Sequence, residues 1–199
     1  MYWGRPVPSF GDPSARLLVV GLAPGAHGAN RTGRLFTGDR SGAWLFRAMY
    51  RSGFANQPTS KHRNDGLELR DAYVTAVVRC APPDNKPTIT ERDSCMPYLE
   101  SELRLLMNLR VVVCLGAFAW NVIKGRFITR NPGLPKLGPT KFAHGAEVAV
   151  STYLLLASYH PSQQNTFTGR LTEEMLDSVF RRAREIVESP GAFRYQEVT

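Results

Sequence analysis

The 199 residues, 43% of them hydrophobic, suffice for one domain with a sizeable core, expected over residues 1–188 with 189–199 as a frayed tail. A net charge of +8, from 25 Lys and Arg against 17 Asp and Glu, points to a polyanionic partner, nucleic acid ahead of an anionic membrane surface; Arg outnumbers Lys, and its planar fork of donors suits phosphate. No apolar stretch approaches the roughly 20 residues of a membrane span, Met1–Pro6 carries no signal-peptide core, and Cys80, Cys95 and Cys114 form no even disulfide framework, so a cytoplasmic chain without a membrane partner is expected.

Residues 1–14 are rich in proline and aromatics without periodicity and are expected to lead, extended, onto the first strand. Leu17–Val20 reads as that strand, buried and feeding a loop with glycine at 21, 25, 28, 33 and 38. Ser41 is the expected cap of a helix through Trp44, Leu45, Ala48 and Met49 that stops at Gly53. Residues 55–69 are polar and irregular, and Ala72–Val78 reads as a second strand. It ends in the proline-stiffened loop Arg79–Pro87. Thr90 with Asp93 suggests a capping box for a helix through Leu99, Leu103, Leu106 and Met107, kinked at Pro97.

Arg110–Leu115 reads as a third buried strand, and Phe118–Ile123 as a short helix. Residues 125–145 read as a long surface loop whose Lys and Arg residues can face phosphate. Val148–Val150 and Tyr153–Ala157 suggest a hairpin, the second strand running into the polar loop Ser158–Arg170. Thr172, with Glu173 and Glu174 complementing the dipole, opens a last helix through Met175, Leu176, Val179, Phe180 and Ala183. Strands alternating with helices predict an α/β fold with a mostly parallel sheet, its three polar loops meeting at one edge as a single cleft.

Common phosphate and metal motifs fail. The first loop lacks the Lys and Ser/Thr of a P-loop, its glycines miss the dinucleotide spacing, and His27, His62, His144 and His160 show no paired metal-ligand spacing. What the loops offer is a carboxylate (Asp39), two imidazoles (His27 and His160), an amide (Asn85) and many backbone donors. That set suits acid–base or electrostatic catalysis on a neutral heterocycle or ester.

Three runs, GLAPGAHGANRTGRLFTGD at 21–39, RCAPPDNKPT at 79–88 and SYHPSQQNTFTGRL at 158–171, resemble the signatures of the type-5 uracil-DNA glycosylases, and the likeness extends from about Tyr2 to Glu188. The resemblance implies a three-layer α/β/α sandwich around a mostly parallel four-stranded sheet. It also implies a monomer that takes double- and single-stranded DNA containing deaminated bases. The reaction implied is hydrolysis of the bond between base and deoxyribose after the nucleotide is flipped into the cleft, leaving an abasic site.

By the same resemblance Asp39, Asn85 and His160 are the catalytic positions, and Gly21, Ala23, Pro24, Gly25 and Phe36 join Asn85 and His160 in holding the base. Ala23 stands where type-1 relatives carry a carboxylate, so the acidic role passes to Asp39, with a helix cap before Ser41 as the alternative use of that position. Phe36 would stack on the base or belong to the core, Asn85 would read the base edge or serve a turn, and His160 would donate to the base oxygen. Arg31, Arg34, Gln163, Gln164, Asn165 and Arg170 are the implied DNA contacts.

The type-5 group usually carries a four-iron, four-sulfur cluster. Cys80 and Cys95 match two of its four ligands, while the upstream Cys-x-x-Cys pair is absent from the chain, which starts Met1–Tyr2–Trp3, so the cluster is a doubtful cofactor here. Ala76, where some relatives carry Asn, suggests a pocket tolerant of several deaminated bases. Two competing readings remain at this point: a damaged-DNA-binding module without turnover, and a nucleotide- or ester-directed hydrolase on the same sheet.

Overall fold

The computed structural model describes residues 2–130, 141–150 and 153–189. Residues 190–199 of the expected tail and 131–140 of the expected basic loop at 125–145 lie outside the described residues. At the centre is a six-stranded sheet of β1 (Phe10–Gly11), β2 (Leu17–Gly21), β3 (Ala72–Ala76), β4 (Val111–Leu115), β5 (Glu147–Val150) and β6 (Tyr153–Ser158), in the order β1-β3-β2-β4-β6-β5. The four inner strands are parallel, with Val19 level with Val74 on one side and Val113 on the other. Both edge strands are antiparallel.

The sheet is thus wider than the four strands expected. The hairpin of β5 and β6 is present, and the stretch read as extended leader contributes β1, too short to leave a period-2 signal.

Successive residues of β2 and β4 are buried on opposite faces, as the pleat requires. Leu17, Val19, Val111 and Val113 pack with α2 (Arg40–Arg51) and α6 (Glu173–Glu188), through Leu45, Phe46, Met49, Leu176, Val179 and Phe180. Leu18, Val20, Val112 and Cys114 pack with α3 (Ile89–Leu105) and α4 (Ala117–Arg130), through Leu99, Trp120 and Ile123. Near-continuous apolar strands covered on both faces make the three-layer α/β/α sandwich.

Helix starts depart from expectation by two residues. The cap of α2 is Asp39 rather than Ser41, and the capping box of α3 joins Thr88 to Glu91 rather than Thr90 to Asp93. A proline inside α3, Pro97, is carried without ending the helix, whose buried residues are few. The helix expected at Phe118–Ile123 continues to Arg130 as α4, and the third polar loop contains one turn, α5 (Gln163–Phe167).

Chain order sets where a ligand can bind. From β2 the chain moves outward to β3, then returns across β2 to β4. The switch point therefore lies between β2 and β4, beyond whose carboxyl ends open sheets of this kind bind ligands.

Candidate active site

At the carboxyl end of β2 the chain turns tightly, with the Gly28 and Asn30 N–H groups both donating to the Gly25 carbonyl, and continues as α1 (Ala29–Thr32). Phe36 then sits at φ 52°, in the left-handed region. This conformation, uncommon for a bulky residue, brings the ring under Gly21, where a Cβ would meet Phe36 Cζ at 2.7 Å. The ring is 8% exposed and its centroid is 6.0 Å from that of His160.

Asp39 follows, and its two oxygens have separate surroundings. Oδ1 accepts from the Gly42 N–H at 2.8 Å and so caps α2. Oδ2 lies against the first turn, where a Cβ on Gly28 would come within 2.0 Å of it and one on Gly25 within 3.4 Å. Burial raises the Asp39 pKa above its ordinary value of 3.8, while the Gly42 and Ser41 N–H groups and the nearby Arg31 charge oppose that rise. The cap and the expected cleft carboxylate are one residue.

After β3 the loop bends at Asp84 and Asn85, φ 52° and 55°. Short polar side chains tolerate that conformation, and Asn85 stays exposed. After β6 the third loop is pinned from below by His144. Its Nδ1 accepts from the Tyr159 N–H at 3.2 Å, and its Nε2 donates to the Met175 carbonyl of α6 at 3.2 Å. Burial lowers the His144 pKa, consistent with the neutral ring this arrangement requires. The next residue, His160, is held by burial at a pKa of about 4, so its imidazole is neutral at physiological pH. Asn165 Nδ2 donates to the His160 carbonyl at 2.9 Å, closing the loop on itself.

The three loops converge. Ala23, Phe36, Asp39, Asn85 and His160 line an inner chamber of about 600 Å³, with Gln163 and Gln164 at its edge. An outer chamber of about 430 Å³ adjoins it through shared walls at Gly25, Asp39 and Asn85, and adds His27, Gly28 and Arg40. Tyr2 Oη is 2.7 Å from His27 Nδ1, which ties the amino-terminal arm to this outer wall.

Most residues singled out in the sequence therefore meet at one rim. Gly21 is the backing of the Phe36 ring, and Pro24 lies in the same turn without lining the chamber. Arg31 is exposed, its Nε donating to the His27 carbonyl, and the exposed Arg170 guanidinium stacks 4.7 Å from the Tyr159 ring. Arg34 is the correction. Expected at a phosphate, it is 6% exposed, pairs with Asp65 at 2.8 Å, and donates to Thr37 Oγ1, Ser60 Oγ and the Arg63 carbonyl. A guanidinium buried in this way, with most of its five donors committed, is not presented to DNA.

Sequence reasoning passed over Ser41, Asp84 and Lys86 in the inner chamber, and Arg40 in the outer one. Arg40 lies over the Phe167 ring at 4.3 Å and donates to Thr166 Oγ1, joining the start of α2 to α5. His144 was also missed, since nothing in its neighbourhood signals a contact across 15 residues.

The thiols do not make up a cluster site. Cys80 is exposed and Cys95 half-buried, the latter accepting the Arg79 N–H at 3.4 Å, whereas Cys114 is buried within β4. Burial, with Cys95 and Glu91 nearby, raises the Cys80 pKa and favours the neutral thiol. Among the described residues no group of three or more His, Cys, Asp or Glu side chains is placed to hold a metal. A four-iron cluster on four thiolates does not fit these residues, and no step below passes through one. Among the described residues, too, no helix is long and apolar enough to cross a membrane.

The chain that builds this doubly covered sheet, with a chamber at its switch point, matches the family model of the uracil DNA glycosylase superfamily over residues 8–184, and it belongs to that superfamily. Similar proteins narrow this further. The type-5 uracil-DNA glycosylase of Mycobacterium leprae is 51% identical over 93% of this chain and 80% of its own length. Those of Thermus thermophilus and Pyrobaculum aerophilum are 50% and 49% identical over 93% and 92% of this chain, and 82% and 76% of their own lengths. Within the superfamily, the chain belongs to the type-5 family.

Proposed function

We infer that this chain excises uracil from DNA, hydrolysing the N-glycosidic bond and leaving an abasic site. The observation that carries the reading is the convergence of an aromatic ring, a carboxylate, an amide and a neutral imidazole on one chamber, in a chain with type-5 relatives. Nothing favours the binding-module or ester-hydrolase alternatives over it.

The target base sits inside a stacked duplex, so the nucleotide is flipped into the chamber, where Phe36 stacks on the base, a contact worth about 1–3 kcal/mol in other sites. As the C1′–N bond breaks, its electron pair leaves with the base and positive charge develops on the sugar. His160 donates a hydrogen bond to the base oxygen where negative charge collects, and Asn85 holds the base edge or the attacking water. Asp39, ionised and anchored by the start of α2, stabilises the cationic sugar and orients the water whose oxygen bonds C1′. The water's second proton leaves through Asp39 to solvent. Ala23 offers no competing group, since a methyl cannot polarise water.

Arg40 and Lys86, which line the chambers, and the exposed Arg31 and Arg170 bind the phosphates flanking the flipped nucleotide, with Gln163 and Gln164 facing the duplex. The inner chamber is larger than a pyrimidine requires, which supports action on other deaminated bases, hypoxanthine first. The test is incubation of the purified chain with duplexes carrying a single uracil or hypoxanthine, followed by alkaline strand scission. Strand breaks at the lesion are expected from the wild type and not from His160→Ala, and their absence from the wild type would overturn the reading.

A further inference from the structure

Cations on this surface fall into two groups. Across the α2–α6 face they are neutralised: Arg47 pairs with Glu173, Arg51 with Asp177, Arg181 with Glu174 and Arg182 with Glu147. Beside the outer chamber they are not. Arg5, Arg31, Lys61 and Arg63 are exposed, and none has an ion pair with a described carboxylate. Leaving several like charges unneutralised and close together costs stability, and an anionic partner offsets that cost.

These cations are also held in place. The Trp3 ring carries Arg5 at 4.7 Å and Arg63 at 4.8 Å, and it lies where a Cβ on Gly33 would be 2.4 Å from the ring, so the amino-terminal arm is seated directly on the first glycine loop. The Trp3 backbone N–H donates to the Asn30 carbonyl at 2.8 Å. On the other side the buried Arg34–Asp65 pair organises the loop that carries Lys61 and Arg63. Asp65 accepts the Lys61 N–H at 2.7 Å, Arg34 donates to the Arg63 carbonyl, and the Gly38 N–H donates to the Ser60 carbonyl.

The row is continuous with the site. A Cβ on Gly38 would touch Arg31 Nη2 at 2.8 Å and the Lys61 carbonyl at 3.4 Å, and Arg31 itself is bonded to His27 of the outer chamber.

We propose that Arg5, Lys61 and Arg63 form a phosphate-binding track, running from Arg31 away from the outer chamber along the Trp3 arm, that grips DNA backbone beyond the flipped nucleotide. The proposal rests on the reading of the chamber as a DNA site and extends it to a surface outside the glycosylase signatures. It gives Arg34 an indirect part as the strut beneath the track. Aromatic stacking reduces the motion of Arg5 and Arg63 before DNA arrives, so less side-chain freedom is lost on binding.

The test measures affinity for a duplex containing a stable abasic-site analogue as salt is raised from 50 to 200 mM, for the wild type and for the triple variant Arg5→Gln, Lys61→Gln, Arg63→Gln. Each phosphate contact contributes about 0.9 to the slope of log affinity against log salt. Losing three contacts lowers that slope by about 2.7, so the variant's affinity falls about 40-fold less than the wild type's over this range. Arg181→Gln, on the neutralised face, is the control and keeps the wild-type slope. A triple variant with wild-type slope and affinity would overturn the track. Uracil excision is measured on the same samples, so an inactive wild type refutes the proposed activity while the slopes still report on the track.

Discussion

Asp39 caps α2 and carries the proposed catalytic charge, and one pair of substitutions separates the two roles. Asn is as good a helix cap as Asp, because its side-chain oxygen can still accept from Gly42. Asp39→Asn therefore preserves the start of α2 and removes only the charge. Opposite charges about 4 Å apart at an effective dielectric constant of about 20 attract by about 4 kcal/mol. Losing that attraction to the developing sugar cation slows bond cleavage by about three powers of ten.

Asp39→Ala loses the charge and the cap together, so it adds about 1 kcal/mol of destabilisation, or about 2–4 °C in a protein of this size. Single-turnover excision from a uracil duplex and thermal melting, run on both variants, resolve the two contributions. The expected pattern is equal loss of rate with unequal loss of stability. If Asp39→Asn keeps wild-type excision, the carboxylate is a cap and nothing more.

Gly28→Ala forces the Asp39 carboxylate aside, since the new methyl would overlap Oδ2; a displacement near 1 Å predicts an excision rate lowered about 100-fold, and a wild-type rate would show that the position of Oδ2 is not critical. With the His160 pKa at about 4, the neutral ring is the working form, so its contribution holds as pH rises from 5 to 8 and is lost only as pH falls through about 4; a rate that drops with a midpoint near 6.5 would refute neutral donation. Arg34→Met removes the ion-pair partner of Asp65, which keeps only the backbone N–H groups of its own loop, so it costs up to about 3–5 kcal/mol, the cost of a broken buried pair, and it also loosens the loop bearing Lys61 and Arg63; melting curves check the first effect and the salt slope the second. The His144 pKa is lowered on folding, so its contribution to stability is present above the unfolded value near 6.5 and lost as pH falls through the lower folded one; His144→Phe, which cannot titrate, removes that part of the acid sensitivity in melting curves.

Much of this architecture was legible because the inner strands are largely apolar runs and three of the four end in a polar, glycine- or proline-rich loop. That pattern alone places the loops at one edge of the sheet. The caps were misplaced by two residues because Asp39, Ser41, Thr88 and Thr90 are all competent capping types, and their residue types alone do not decide which is used. Arg34 was misread for a related reason. An arginine in a glycine loop looks like a phosphate ligand until its carboxylate partner, 31 residues away in an irregular stretch, is seen. Long-range pairs of this kind, like His144 with Tyr159, have no local signal.

The division of charge across the chamber explains why a neutral histidine suits the proposed reaction better than a cationic one. The departing base is anionic and the sugar it leaves is cationic, and both lie within one small chamber. An imidazolium would stabilise the base yet repel the sugar a few ångströms beyond it, and part of the gain would be lost. A neutral imidazole donates through a dipole that falls off faster with distance than a charge, so it acts on the base and leaves the sugar to Asp39. Burial that holds His160 neutral also raises the Asp39 pKa, against the ionised form the proposed reaction needs. The Gly42 and Ser41 N–H groups at the start of α2 oppose that rise, favouring a charged Asp39 in the setting that keeps His160 uncharged. Capping the helix is therefore part of the proposed chemistry, since the bonds that begin α2 hold the charge the sugar requires.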